Sequence, residues 1–137
     1  AMVWECSHTG GHRFAPVRLL PGTGYTYGPA DAALASRIIE AELEGRVLTD
    51  RLRGRSTWPP AGQVAEVAVR ESGVDAGIDE LAVALDPADP AVAMVSHVDG
   101  RQWRVETGNR PLPPRIQSCR KPPTDAKAWV VESLTAL

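Results

Sequence analysis

Trp4-Glu5-Cys6-Ser7-His8-Thr9-Gly10-Gly11-His12-Arg13-Phe14-Ala15-Pro16 is the stretch that decides how this chain reads. Two of its three histidines stand four residues apart across a Gly-Gly pair. Neutral imidazole is a common ligand of zinc, copper and iron, and two rings reach one centre only if the backbone between them bends. Gly10 and Gly11 supply that bend, so His8 and His12 are the candidate metal ligands. Cys6 is a further candidate, although an extended backbone would turn it to the opposite face from His8. Arg13, beside the motif, is placed to tune the charge of a bound group or to receive an anionic partner.

Moving outward, residues 14–20 and 25–28 read as two strands joined by Pro21-Gly22-Thr23-Gly24, a turn cluster with glycines for positive φ. The cluster lacks the Gly-Lys-Ser/Thr ending of a phosphate loop and joins strand to strand. Asp31 can cap a helix to about residue 44, with Leu34, Ile38, Ile39 and Leu43 on one side, Glu40, Glu42 and Glu44 on the wet side, and Gly45 to end it. An Arg- and Pro-rich stretch, 52–60, then separates two segments, 1–58 and 59–137. Arg51, Arg53 and Arg55 alternate, so an extended backbone would present them together as a docking site for an acidic redox partner; a solvated linker, or ion pairs with Glu40, Glu42 and Glu44, is the equal alternative.

Pro59-Pro60 can open a second helix to about Glu71, where Val64, Val67, Ala68 and Glu71 recur at helical spacing before Ser72-Gly73. Strand patterns follow at 80–85, 91–98, 101–107, 115–119 and 128–134. Asp99-Gly100 is a two-residue hairpin signal, which demands positive φ at both positions. The proline clusters at 111–114 and 122–123 read as connections, His97 as a surface histidine at a strand end, and Cys119 as core or edge strand. Trp58, Trp103 and Trp129 read as core or interface anchors with hydrogen-bonded indole nitrogens.

At 137 residues the chain suits one domain, and folding should bury roughly two thirds of the surface that the unfolded chain exposes. With 15 basic and 17 acidic residues the net charge is −2, which gives no preference for nucleic acid or acidic lipid. No apolar run reaches the roughly 18 residues of a membrane helix, and no signal peptide opens the chain; a cytoplasmic protein is expected. Two cysteines make no disulfide framework. Ala1 before Met2 reads as a tag remnant.

The chain resembles the sucrase/ferredoxin-like family, whose members contain a thioredoxin-like ferredoxin domain. Residues 4–16 carry the resemblance, with Leu19-Leu20-Pro21, Tyr27-Gly28, and Arg53-Gly54-Arg55-Ser56 leading into Gln63-Val64-Ala65-Glu66 and Arg70. The later strands, with Ser118-Cys119 and Trp129, look like the family's C-terminal extension. The resemblance implies a [2Fe-2S] electron carrier in which two cysteines from the first half of the domain bind one iron and the two histidines of an HxGGH motif bind the other. His8 and His12 occupy those two positions. Imidazole in place of anionic thiolate raises the reduction potential. A ring whose second nitrogen meets solvent also gains a proton on reduction, which makes electron transfer pH-dependent.

The expected fold is therefore α+β: the C-terminal half of a thioredoxin-like fold, hairpin plus helix, over 1–58, then a helix and a mainly antiparallel β extension over 59–137. The half that bears the cysteine ligands in the family does not precede the motif here, so the cluster is expected to be absent from the chain as it stands. Adventitious zinc or nickel at His8 and His12 is the metal alternative. Loss of that half should also leave a strand edge or an apolar face uncovered, to be closed in a two-fold homodimer. The competing class is a cofactor-free binding or assembly module. A zinc hydrolase would need a third ligand and a base where only Glu5 is near, and no placed carboxylate pair suggests a glycosidase. A redox carrier, rather than a substrate-converting enzyme, is the expectation.

Overall fold

The computed structural model describes residues 17–116 and 122–137, together with Glu5. Along the chain run β1 (Arg18–Leu19), β2 (Tyr25–Tyr27), α1 (Ala32–Leu43), β3 (Leu52–Arg55), α2 (Pro60–Glu71), β4 (Leu81–Leu85), β5 (Val92–His97), β6 (Gln102–Arg115) and β7 (Thr124–Ala136). The strands form two antiparallel sheets, β1-β2-β3 and β4-β5-β6-β7. The fold is α+β, as expected. The strand candidate at 115–119 extends past Ile116 and so lies largely outside the described residues.

Helix α1 starts where Asp31 accepts the Leu34 amide at 2.8 Å and stops in a Schellman motif. There Arg46 N–H donates to Ala41 O at 2.8 Å, Gly45 N–H donates to Glu42 O at 3.0 Å, and Gly45 has φ +76°. Its buried stripe differs from the expected one: Ile38 and Ala41 are buried and Leu34 is half-buried, whereas Leu43 is 78% exposed. Nine residues separate Leu34 from Leu43, about two and a half turns, which puts them on opposite sides of the helix.

The stretch 52–60 is in part a strand rather than a linker. Residues Leu52–Arg55 pair with β2, and Gly54 at φ +102° lies so close to α2 that a Cβ there would sit 2.7 Å from Gln63 Cβ. Only glycine lets β3 and α2 approach this closely. Helix α2 buries Ala61, Gly62, Ala65, Glu66, Val69 and Arg70, so it packs through small residues and an ion pair. The stripe of Val64, Val67 and Ala68 is left half-buried.

Two apolar clusters result. One joins Ala65 and Val69 of α2 to Leu81, Ala93, Val95, Trp103 and Val105 of the four-stranded sheet. The other gathers Tyr25, Tyr27 and Ile38 with Leu34, Leu52 and Ile78 around them.

The hairpin at Asp99-Gly100 forms, with a longer turn than expected. Gly100 N–H donates to His97 O, His97 N–H donates to Arg101 O, and Gly100 alone among the turn residues has positive φ, +99°. A type I turn closed by a left-handed glycine accounts for all three facts.

The prolines of 111–114 stand inside β6 instead of connecting strands. The register of β5 with β6 ends at Val92↔Glu106, and beyond it β6 pairs with β7 as far as Arg115↔Thr124. A proline there lacks its N–H on a strand with a neighbour on one side only, and a register shift between Leu112 and Arg115 takes up the irregularity.

Candidate functional site

His8, His12, Cys6, Arg13 and Cys119 lie outside the described residues. Among the described residues no three His, Cys, Asp or Glu side chains converge as metal ligands. His97 ends β5, and its side chain is only 7% exposed rather than lying at the surface. Its Nδ1 accepts the Asp99 amide at 3.1 Å, and its Nε2 lies 3.7 Å from Glu80 Oε2, outside hydrogen-bond range.

The three arginines proposed for docking occupy three environments. Arg51 is exposed and precedes β3 at φ +63°. Arg53 is half-buried on β3. Arg55 turns inward, with Nε on Thr23 O at 2.7 Å, Nη2 on Asp79 Oδ1 at 2.7 Å, and its guanidinium carbon 5.5 Å from the Tyr25 ring centroid. The positive φ angles at Arg51 and Gly54 interrupt the extended alternation on which a shared face depends.

The densest polar constellation is built around Glu66, whose side chain is fully buried. Its Oε1 accepts the Tyr25 hydroxyl at 2.5 Å and Arg70 Nε at 3.1 Å, and its Oε2 accepts Trp58 Nε1 at 2.9 Å. Arg70 donates further to Ala76 O at 2.7 Å, Gly77 O at 3.1 Å and Tyr25 Oη at 2.8 Å. Helical i,i+4 spacing brings Glu66 and Arg70 together on the inner face of α2, and β2 delivers Tyr25 from the other sheet. Burial, reinforced by the Glu66 carboxylate, holds the Tyr25 phenol above its ordinary range. Tyr27 is pushed up to about 12, first by burial and then by Glu42. Both phenols therefore stay protonated at neutral pH, and the Tyr25 hydroxyl donates to Glu66. Each nitrogen of Arg70 and each oxygen of Glu66 has a partner, so the cluster ties α2, β2 and the 76–78 loop together and leaves no vacant position for substrate.

That cluster is the part the reading of site residues missed. Glu66 and Arg70 entered only as marks of a resemblance, and Tyr25 as a strand residue; the pairing of a tyrosine with a carboxylate 41 positions away has no local signature. Trp58 does hydrogen-bond through its indole nitrogen as expected, and Trp103 is buried in the core. The described surface also holds a shallow cavity of about 250 Å³, lined by Leu52, Arg53, Val64, Val67, Glu71 and Val131 among others. No protein-family model matches this chain, and neither a curated protein nor a solved structure matches it. No helix among the described residues is long and apolar enough to cross a membrane.

Proposed function

We propose that this chain is the C-terminal portion of a thioredoxin-like [2Fe-2S] electron-transfer protein of the cytoplasm, with His8 and His12 as iron ligands in the intact domain. The observation that carries the reading is the His-Thr-Gly-Gly-His sequence placed directly ahead of a hairpin and a capped helix. When bound, such a cluster would supply one-electron transfer at a potential raised by imidazole ligation. Two histidines make half of such a ligand set, and a pair of cysteine thiolates would have to complete it. Arg13 and exposed Arg51 would each present positive charge to an acidic redox partner, whereas Arg55 is engaged by Asp79 and Thr23. The tie between α2 and β2 would keep the hairpin rigid, which limits reorganisation of anything held at its entrance.

The chain would associate as a homodimer through the edge of the β1-β2-β3 sheet. Strand β1 has one strand neighbour among the described residues, and Leu19 on it is 46% exposed. The second reading, a cofactor-free binding module, is favoured by the half-buried stripe of Val64, Val67 and Ala68 beside the cavity.

The deciding experiment is anaerobic iron and sulfide reconstitution of this chain and of a version extended toward the N-terminus. The visible spectrum, iron and acid-labile sulfide are then measured. A red-brown extended protein whose spectrum shifts in both His8→Ala and His12→Ala is the expected result. A colourless, iron-free extended protein would leave the binding-module reading in its place.

A further inference from the structure

Charge is nearly balanced over the whole chain but unevenly distributed along it. Residues 108–127 hold five of the 15 basic residues and one of the 17 acidic ones. Arg120 and Lys121 of that group lie outside the described residues, and the argument rests on Arg110, Arg115 and Lys127. These three are exposed on the part of β6 and β7 that extends past β5 as a two-stranded ribbon, about 25 Å long at the usual rise per residue.

Pairing separates them from most of the other described arginines, although exposed Arg51, ahead of β3, likewise has no ion pair among the described residues. Elsewhere, Arg37 pairs with Asp50, Arg46 with Glu44, Arg55 with Asp79, Arg70 with Glu66, Arg101 with Asp99 and Arg104 with Glu106. Arg110, Arg115 and Lys127 have no ion pair or hydrogen bond among the described residues, and Asp125, the acid beside them, pairs with none of them.

Register settles how the charges are displayed. Arg110 is opposite Ala128 and Pro111 is opposite Lys127, so Arg110 and Lys127 belong to neighbouring cross-strand pairs and point to opposite faces. A flat acidic protein surface could engage one face only. A nucleic-acid groove presents phosphates on both walls, and the major groove of B-form DNA admits a two-stranded ribbon, whereas that of A-form RNA is too deep and narrow.

We propose that the β6–β7 ribbon binds duplex DNA through its phosphates, with Arg110, Arg115 and Lys127 as the contacts. This departs from the reading of whole-chain charge, which averages a cationic ribbon with an acidic body. Contacts to phosphate carry no base preference, so the binding is sequence-independent and strongly salt-dependent.

The test is fluorescence anisotropy of a short end-labelled duplex titrated with the full chain. For three phosphate contacts, raising salt from about 50 to about 200 mM should weaken binding about 40-fold. The triple variant Arg110→Gln, Arg115→Gln, Lys127→Gln should lose at least about tenfold at low salt, while Arg37→Gln, whose arginine is already paired, should stay within about twofold. Circular dichroism melts that match the parent confirm that the variants fold. Absence of binding at low salt, equal binding by the triple variant, or affinity for poly-glutamate or for anionic phosphatidylserine vesicles as high as for the duplex would each overturn the proposal.

Discussion

Glu66 shows how a single side chain can tie a helix to a sheet. A fully buried carboxylate is tolerable only because Arg70, Tyr25 and Trp58 satisfy both of its oxygens. Such a pair adds little over an apolar substitute, but removal of one member strands the other, at roughly 3–5 kcal/mol. Glu66→Gln keeps the shape and deletes the charge, leaving the Arg70 guanidinium without a counterion. We predict a loss of about 3 kcal/mol in urea unfolding with unchanged m value. Tyr25→Phe, which removes one hydroxyl and keeps the ion pair, should cost less, about 1–2 kcal/mol. Equal stability of Glu66→Gln and the parent would mean that the charge on Glu66 contributes nothing to holding Arg70 in place.

Among the elements, β3 departs furthest from its sequence pattern. Its charged, proline-flanked residues read as a linker, yet they complete a sheet because Tyr25 and Thr26 of β2 need a partner on that side. Helix α2 can sit against β3 because Gly54 has no side chain. Gly54→Ala would place a Cβ 3.0 Å from Gln63 Cα at a φ of +102°, so backbone as well as side chain would have to move. We expect this substitution to cost about 2–4 kcal/mol and lower the thermal midpoint, whereas Gly22→Ala, where no atom lies within 4 Å, should leave it nearly unchanged. Comparable melts for the two variants would show that the approach of β3 to α2 relaxes freely. The two helices and most strands were legible from caps, prolines and period; their buried faces were less so. On α2 the stripe of Val64, Val67 and Ala68 that recurs at helical spacing is half-buried, and Ala61, Gly62 and Ala65 are the buried residues instead.

Among the described residues two sheets leave four edge strands, and association of the whole molecule is the scale at which the proposed dimer is tested. Light scattering on the full chain should return twice the 14.7 kDa monomer mass. Leu19→Lys, a charge on the β1 edge, should shift the population to monomer with an unchanged circular dichroism spectrum. A monomer at every concentration would refute the edge-pairing proposal without touching the cluster test, whose readout is iron and colour.

Local physics determined much of this protein. Asp31 and Gly45 bound α1, Pro59-Pro60 opens α2, and Asp99-Gly100 places a hairpin, because caps, missing amides and left-handed glycines act over a few residues. The HxGGH spacing that carries the functional proposal belongs to the same class of local signal. Only tertiary structure decided that 52–55 is a strand, that prolines 111–114 lie within one, and that Tyr25 meets Glu66 and Arg70. Each of those depends on which distant segment lies alongside. Strand pairing and burial of charge are properties of neighbours in space, and no window of adjacent residues contains them.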